Sequence, residues 1–263
     1  NVYSKPGGRL GYFAGRSTGP ERMQVLLQVG ASARERLKEA AAQLLFPHFC
    51  AGCNSDVLHK EASICGRCIH QLPATSFHTL ENNPVEKIFW GRLPIKAAFA
   101  EFYFDKESLL QHLIHQLKYK SNTQIGIFLG EMMGNSINNS TLYKNIDALI
   151  PLPLFADKER KRGFNQAKVI CDGISNTTNI PILNNSIIRK RFTETQTRKH
   201  RTERWQNVAE SFALNNAQAL AGKHILLIDD VITTGATLEA CGNIILQIPN
   251  TTLSIATLAF ASK

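Results

Sequence analysis

The sequence predicts an α/β protein, a doubly wound and mostly parallel sheet with a small N-terminal four-cysteine module. Three observations carry this expectation. Short continuous apolar runs, such as Ile225-Leu226-Leu227-Ile228, have the length and composition of strands buried on both faces. These runs alternate with segments of helical apolar spacing, as they do when crossover helices cover a parallel sheet. Ahead of them, Cys50-x-x-Cys53 and Cys65-x-x-Cys68 stand in a stretch poor in apolar residues.

Composition narrows the class. A chain of 263 residues fits one or two domains, and 43% hydrophobic residues suffice for a real core. No apolar run reaches the roughly 18 residues of a membrane span. The N-terminus lacks the apolar centre of a secretory signal. Pairing of the cysteines points to metal and a reducing, cytoplasmic setting rather than to disulfides. A net charge of +9 and a pI near 9.3 imply an anionic partner: a phosphorylated metabolite, nucleic acid, or both.

In chain order, residues 1–30 are rich in glycine and basic residues, and read as a disordered or non-native segment. Residues 31–75 read as a helix, Ser32 to Phe46, followed by the cysteine module. Four thiolates converging on one centre suit tetrahedral Zn²⁺, so Cys50, Cys53, Cys65 and Cys68 are the candidate ligands of a structural zinc. Dithiol redox chemistry and two disulfides are the competing readings. With so few apolar residues, this module depends on its metal to fold.

Residues 76–263 form the main domain. Ser76–Gly91 reads as a connector. Ile95–Phe104 is a strand, and Asp105–Lys118 is a helix with Leu109, Leu110, Leu113, Ile114 and Leu117 on its apolar face. His112 and His115 on that helix read as surface residues. A second helix covers about Thr123–Ile137, and Ile146–Pro153 is the next buried strand. The segment Phe155–Gln166 is polar and basic. Lying after a buried strand, it reads as a Gly-containing anion loop, with Arg162 and Gly163 as its candidates. A helix follows to about Ser175, with Cys171 as a core thiol. Ser186–Lys190 is a short strand. Arg189–Arg204 is strongly basic with little apolar periodicity, and reads as a mobile cationic loop able to close over a polyanion. Asn207–Leu214 is a strand leading back to the core.

The most informative stretch is His224–Leu238, HILLIDDVITTGATL. A buried strand runs into two adjacent carboxylates, Asp229 and Asp230. A hydroxyl-rich turn, Thr233-Thr234-Gly235-Ala236-Thr237, then opens onto a helix from Leu238 to Ile248. The free N–H groups of a helix N-terminus suit a phosphate. The carboxylates would repel that phosphate, so ribose hydroxyls or a Mg²⁺-linked sugar are their natural partners. Together these features predict a sugar-phosphate site. A Thr-capped helix after an ordinary strand would leave the paired acids unexplained. Thr251–Phe260 supplies the last strand.

ILLIDDVITTGAT closely resembles the phosphoribosyl-pyrophosphate (PRPP) signature of type I phosphoribosyltransferases. With Pro151-Leu-Pro-Leu154, then Lys161-Arg-Gly-Phe-Asn-Gln-Ala167, then Arg191-x-Thr-x-x-Gln-Thr197 and Arg204-x-x-Asn207, it resembles the ComF/GntX-like competence family. A four-Cys zinc module ahead of the transferase domain is also that family's layout. The resemblance covers roughly Leu44–Ala261.

The resemblance implies that Asp229 and Asp230 hold the ribose hydroxyls and act at the reacting sugar. Thr233, Thr234, Gly235, Ala236 and Thr237 would hold the 5′-phosphate. Pro151–Gln166, with Arg162 and Gly163, would contact pyrophosphate. Thr193–Asn207, with Arg198 and Arg201, would be the flexible loop. Ala236 stands where many transferases have a second Gly. Mg²⁺ would accompany PRPP. The process implied is DNA uptake in natural transformation, with single-stranded DNA and competence proteins as partners. Two functions stay open: a phosphoribosyltransferase with an unidentified acceptor, and a non-catalytic PRPP-sensing or single-stranded-DNA-handling factor.

Overall fold

In the computed structural model, which describes residues 49–56, 62–190 and 211–261, the strands run β1 (Ala98–Tyr103), β2 (Ala148–Pro151), β3 (Ile187–Arg189), β4 (Phe212–Leu214), β5 (His224–Ile232) and β6 (Thr252–Phe260). The main sheet has the order β1-β6-β5-β2, and every neighbouring pair is parallel. A parallel bridge between Leu149 and Ile182 extends the ladder beyond β2. Ile225, Leu226, Leu227 and Ile228 are all fully buried. Consecutive buried residues on a pleated strand mean that both faces of the sheet are covered.

The covering helices are α1 (Gly66–His70), α2 (Pro84–Phe89), α3 (Leu109–Tyr119), α4 (Thr123–Asn139), α5 (Ala156–Arg162), α6 (Gln166–Thr178) and α7 (Ala236–Ile245). α4 and α6 pack on each other and meet the sheet through β1, β2, β5 and β6; α7 packs on β5 and β6, and α2 on β1. The α4–α6 contact is backbone to backbone. A Cβ on Gly130 would lie 2.3 Å from the carbonyl oxygen of Ile170, and one on Gly173 would lie 2.1 Å from that of Ile127. The apolar face expected for α3 is buried at Leu110, Leu113, Ile114 and Leu117. Ser108 caps that helix by accepting from Gln111 N at 3.2 Å. The parallel core with its helical cover is thus the doubly wound arrangement expected from the alternating pattern.

Three expectations are corrected. Ser76–Gly91 is not a plain connector, because it holds a 3₁₀ turn, Phe77–Thr79, and then α2. Six residues are too few to show periodicity, but the start signal was present: Asn83 caps Val85 and Glu86, with Pro84 in the first turn. The basic segment after β2 is not a loop for most of its length. Ala156–Arg162 is helical, with Asp157 and Glu159 in its first turn, Arg160, Lys161 and Arg162 in its last, and Gly163 in the left-handed conformation at its end. It buries no residue, so it lacks the apolar stripe by which helices are usually read.

The described part of the strand expected at Asn207–Leu214 is β4, whose Phe212 lies in the core; it pairs antiparallel with β3 in a separate ribbon, with Arg189 opposite Phe212. Finally, β5 continues through both acids to Ile232, and Asp229 is in register with Thr257 of β6. The helix expected at Ser32–Phe46 and the basic stretch 191–205 lie outside the described residues. No helix among the described residues is long and apolar enough to cross a membrane.

Candidate functional site

The C-terminal ends of parallel strands are where open α/β sheets bind ligands, and β5 delivers Asp229 and Asp230 there. The two carboxylates are locked by local bonds. Asp230 N donates to Asp229 Oδ1 at 2.8 Å, and Val231 N donates to Asp230 Oδ1 at 2.8 Å. Asp230 therefore keeps its second oxygen, Oδ2, for another partner. Burial, and then the neighbouring Asp230 carboxylate, push the Asp229 carboxyl up to about 8. Two carboxylates this close do not both ionise readily without a cation or a donor-rich ligand beside them.

After the acids, the chain turns through Thr233 and Thr234 to Gly235, which precedes α7 with φ +72°. A small cavity of about 50 Å³ lies here, lined by Asp229 and Val231 through Leu238. The N-cap of α7 is Gly235, which makes no side-chain cap, and the first residues of the helix line this cavity. The sequence placed the helix start at Leu238; it begins at Ala236. An alanine at that position is a good helix former.

Distant residues complete the site; Gln166 and Arg189 fall within the basic segments read from the sequence, whereas local pattern gave Lys118 and Arg92 no site role. Lys118, at the end of α3, forms an ion pair with Asp230 Oδ2. Gln166, the first residue of α6 and only 6% exposed, donates from Nε2 to the same oxygen at 3.5 Å. Arg92 donates from Nη1 to the carbonyls of Ile88 (3.0 Å) and Thr234 (3.0 Å), and pairs with Glu239 on α7. Arg189, on β3, lies between two aromatic faces, 4.0 Å from the Phe155 ring centre and 5.1 Å from that of Phe212. Burial lowers the Arg189 pKa, while the charge of Asp229 acts to raise it, so the two groups are within electrostatic reach. The cationic character of this site is therefore built in part by Lys118, Arg92 and Arg189, from three separate parts of the chain.

Of the residues expected at the pyrophosphate, Arg162 ends α5 with its guanidinium 5.8 Å from the Tyr119 ring centre, one residue beyond Lys118. Gly163 follows it with φ +89°. Arg198 and Arg201 lie outside the described residues.

The Sγ atoms of Cys50, Cys53, Cys65 and Cys68 all lie within 4.8 Å of one another, and Cys53 and Cys65 are 3.6 Å apart. Thiolates at about 2.3 Å from a tetrahedral zinc stand about 3.8 Å apart, so this donor set fits zinc. Gly52 N and Cys65 N donate to Cys50 Sγ at 3.3 and 3.2 Å. Burial acts to raise the Cys50 thiol, but backbone donors from Cys53, Cys65 and Gly52 outweigh it and bring the thiol down to about 6. Amide donors to sulfur are what a metal thiolate needs. Among the described residues this is the one group that could hold a metal ion. His112 and His115 are exposed, as expected of surface histidines, and contact Gln116 and Tyr119. Cys171 is fully buried, and burial pushes its thiol up.

Comparison with known proteins agrees with this geometry. The phosphoribosyl transferase domain family matches residues 163–262. The chain is 28% identical over 198 residues to Competence protein F of Haemophilus influenzae, across 74% of this chain and 76% of that protein. It is 26% identical over 201 residues to the DNA utilization protein YhgH of Escherichia coli (strain K12), across 75% of this chain and 78% of that protein. With Competence protein ComFC of Bacillus subtilis it shares 36% identity over 101 residues, 38% of each chain.

Proposed function

Because this chain belongs to the ComF-like family and carries a phosphoribosyl transferase domain, we propose that it binds PRPP with Mg²⁺ at the β5–α7 turn and serves DNA uptake. The observation that carries the reading is the Asp229-Asp230 pair on a parallel strand end, directly before an uncapped helix start. The acids accept from ribose hydroxyls through the oxygens their backbone bonds leave free. The N–H groups of Gly235 to Thr237 and the hydroxyls of Thr233, Thr234 and Thr237 bind the 5′-phosphate. Mg²⁺, when bound with the ligand, neutralises the pyrophosphate charge.

The chain's own residues orient the sugar. Asp229 and Asp230 hold the ribose ring, and the turn fixes its far end, which leaves the anomeric carbon facing the cationic side of the pocket. The basic residues there, Arg162 among the described ones, stabilise the leaving pyrophosphate. No Cys or Ser nucleophile is needed. The assignment to DNA uptake draws on the competence and DNA-utilization names of the relatives and on the net charge of +9, which favours a polyanion. We assign a structural zinc to Cys50, Cys53, Cys65 and Cys68, and a cytoplasmic location to the protein.

Calorimetric titration of the zinc-loaded chain with PRPP and Mg²⁺ tests this, beside an Asp229→Asn/Asp230→Asn double variant. Binding by the intact chain and its loss in the variant are the expected results; equal affinity in both would falsify the site. Pyrophosphate release in an acceptor screen then separates a transferase from a non-catalytic PRPP sensor.

A further inference from the structure

We propose that Lys118 is the pocket's internal counter-ion when no ligand is bound and its anion ligand when one is. The sugar phosphate displaces Lys118 from Asp230, and the freed ammonium, together with Arg162, takes the pyrophosphate end. This deepens the PRPP reading and rests on it.

The argument starts from the oxygens. Asp230 Oδ1 is committed to Val231 N–H, so Oδ2 is the atom left for a ribose hydroxyl. Oδ2 is also the atom that Lys118 holds, with Gln166 Nε2 at its margin. A ligand that uses Asp230 through Oδ2 therefore competes with the ion pair. The pair is well withdrawn from solvent, with side chains 21% and 11% exposed. At such a depth, an ammonium stripped of its carboxylate needs another anion close by. A neutral sugar does not supply one, whereas a sugar carrying pyrophosphate does.

Two further groups fit the exchange. Gln166 is buried, and its Oε1 has no hydrogen-bond partner among the described residues. Arg162 Nη1 is likewise buried and unpartnered among them. Unsatisfied buried polar atoms are costly, and a ligand that satisfies them recovers that cost. The acceptor at Gln166 suits a sugar hydroxyl. The donor at Arg162 suits an anion, and its guanidinium lies 5.8 Å from the ring centre of Tyr119, the residue after Lys118. An acceptor beside Asp230 and a buried donor near Tyr119 are thus two atoms that a phosphorylated sugar would satisfy.

The test compares PRPP with ribose 5-phosphate, which lacks the pyrophosphate, by calorimetric titration in Mg²⁺. In Lys118→Met, PRPP affinity should fall by about tenfold or more, the scale of one lost charge-assisted hydrogen bond. Ribose 5-phosphate should bind at least as tightly as to the intact chain, because Asp230 no longer has a competitor. Lys118→Arg should recover most of the PRPP affinity, which separates a charge contact from a folding defect. Unchanged PRPP binding in Lys118→Met, or equal losses for both ligands, would overturn the exchange. The PRPP reading would survive that result if the Asp229→Asn/Asp230→Asn variant still lost PRPP. Failure of the intact chain to bind either ligand would sink both.

Discussion

Arg92 Nη1 donates to the carbonyl oxygen of Thr234 at 3.0 Å, across 142 positions of sequence. The same guanidinium pairs with Glu239 in the first turn of α7, so it fastens the turn before α7 to the end of α2. Arg92→Ala removes both contacts and leaves the Thr234 carbonyl and the Glu239 carboxylate without this donor. The expected cost is about 1–3 kcal/mol in urea denaturation. PRPP affinity should fall as well, because a looser turn is less well organised to receive a phosphate. A variant with unchanged midpoint and unchanged affinity would show that this clamp is incidental.

Gly235→Ala should be more damaging than its size suggests. The backbone is left-handed there, with φ +72°, and an added Cβ would lie 2.8 Å from Ile88 Cγ2 and 3.0 Å from Phe89 Cε1. Left-handed backbone and steric crowding together predict a loss of about 1–3 kcal/mol. Chemical denaturation measures it. A loss below about 0.5 kcal/mol would mean that the turn relaxes freely.

The raised Asp229 carboxyl makes stability depend on pH with a definite sign. Its folded value, about 8, exceeds its ordinary 3.8, so the folded chain keeps a proton that the unfolded chain gives up. Stability from this group is complete below about pH 4 and declines as pH rises toward about 8, by at most about 1.4 kcal/mol per pH unit. Asp229→Asn should flatten that decline, as read from urea midpoints across the range. A ligand that needs the ionised carboxylate should bind more tightly as pH rises through the same window, with proton release detectable by calorimetry in buffers of different ionisation enthalpy.

Metal removal should act on the module around Cys50 and Cys68, each only 2% exposed and part of the hydrophobic core. With zinc bound, elemental analysis should find about one ion per chain. Chelation or Cys68→Ser should remove the ion and lower the melting temperature by several degrees, because metal binding and folding are coupled in a small thiolate module. Undiminished metal content in Cys68→Ser would count against a four-thiolate site.

Where elements are contiguous in the chain, the sequence was sufficient to place them. Strand, paired acids, turn and helix follow one another within His224–Ile245, and the two Cys-x-x-Cys pairs are separated by only eleven residues. Apolar pattern then distinguished strands from helices, because a strand buried on both faces reads as a near-continuous apolar run, and an amphipathic helix such as α3 repeats its apolar face. Short elements without such a face were missed, α2 for its length and α5 for its lack of buried residues.

The sequence by itself determined the α/β class, the acid pair with the turn that follows it, and the four thiols, because each is encoded by neighbours a few residues apart. Tertiary structure alone decided that Lys118 meets Asp230, that Arg92 holds Thr234, and that β3 and β4 stand apart from the main sheet. A lysine near a helix end looks like any solvated charge until packing sets it against a particular carboxylate. Periodicity specifies which side of an element is buried; the partner across the gap is chosen by how the layers dock.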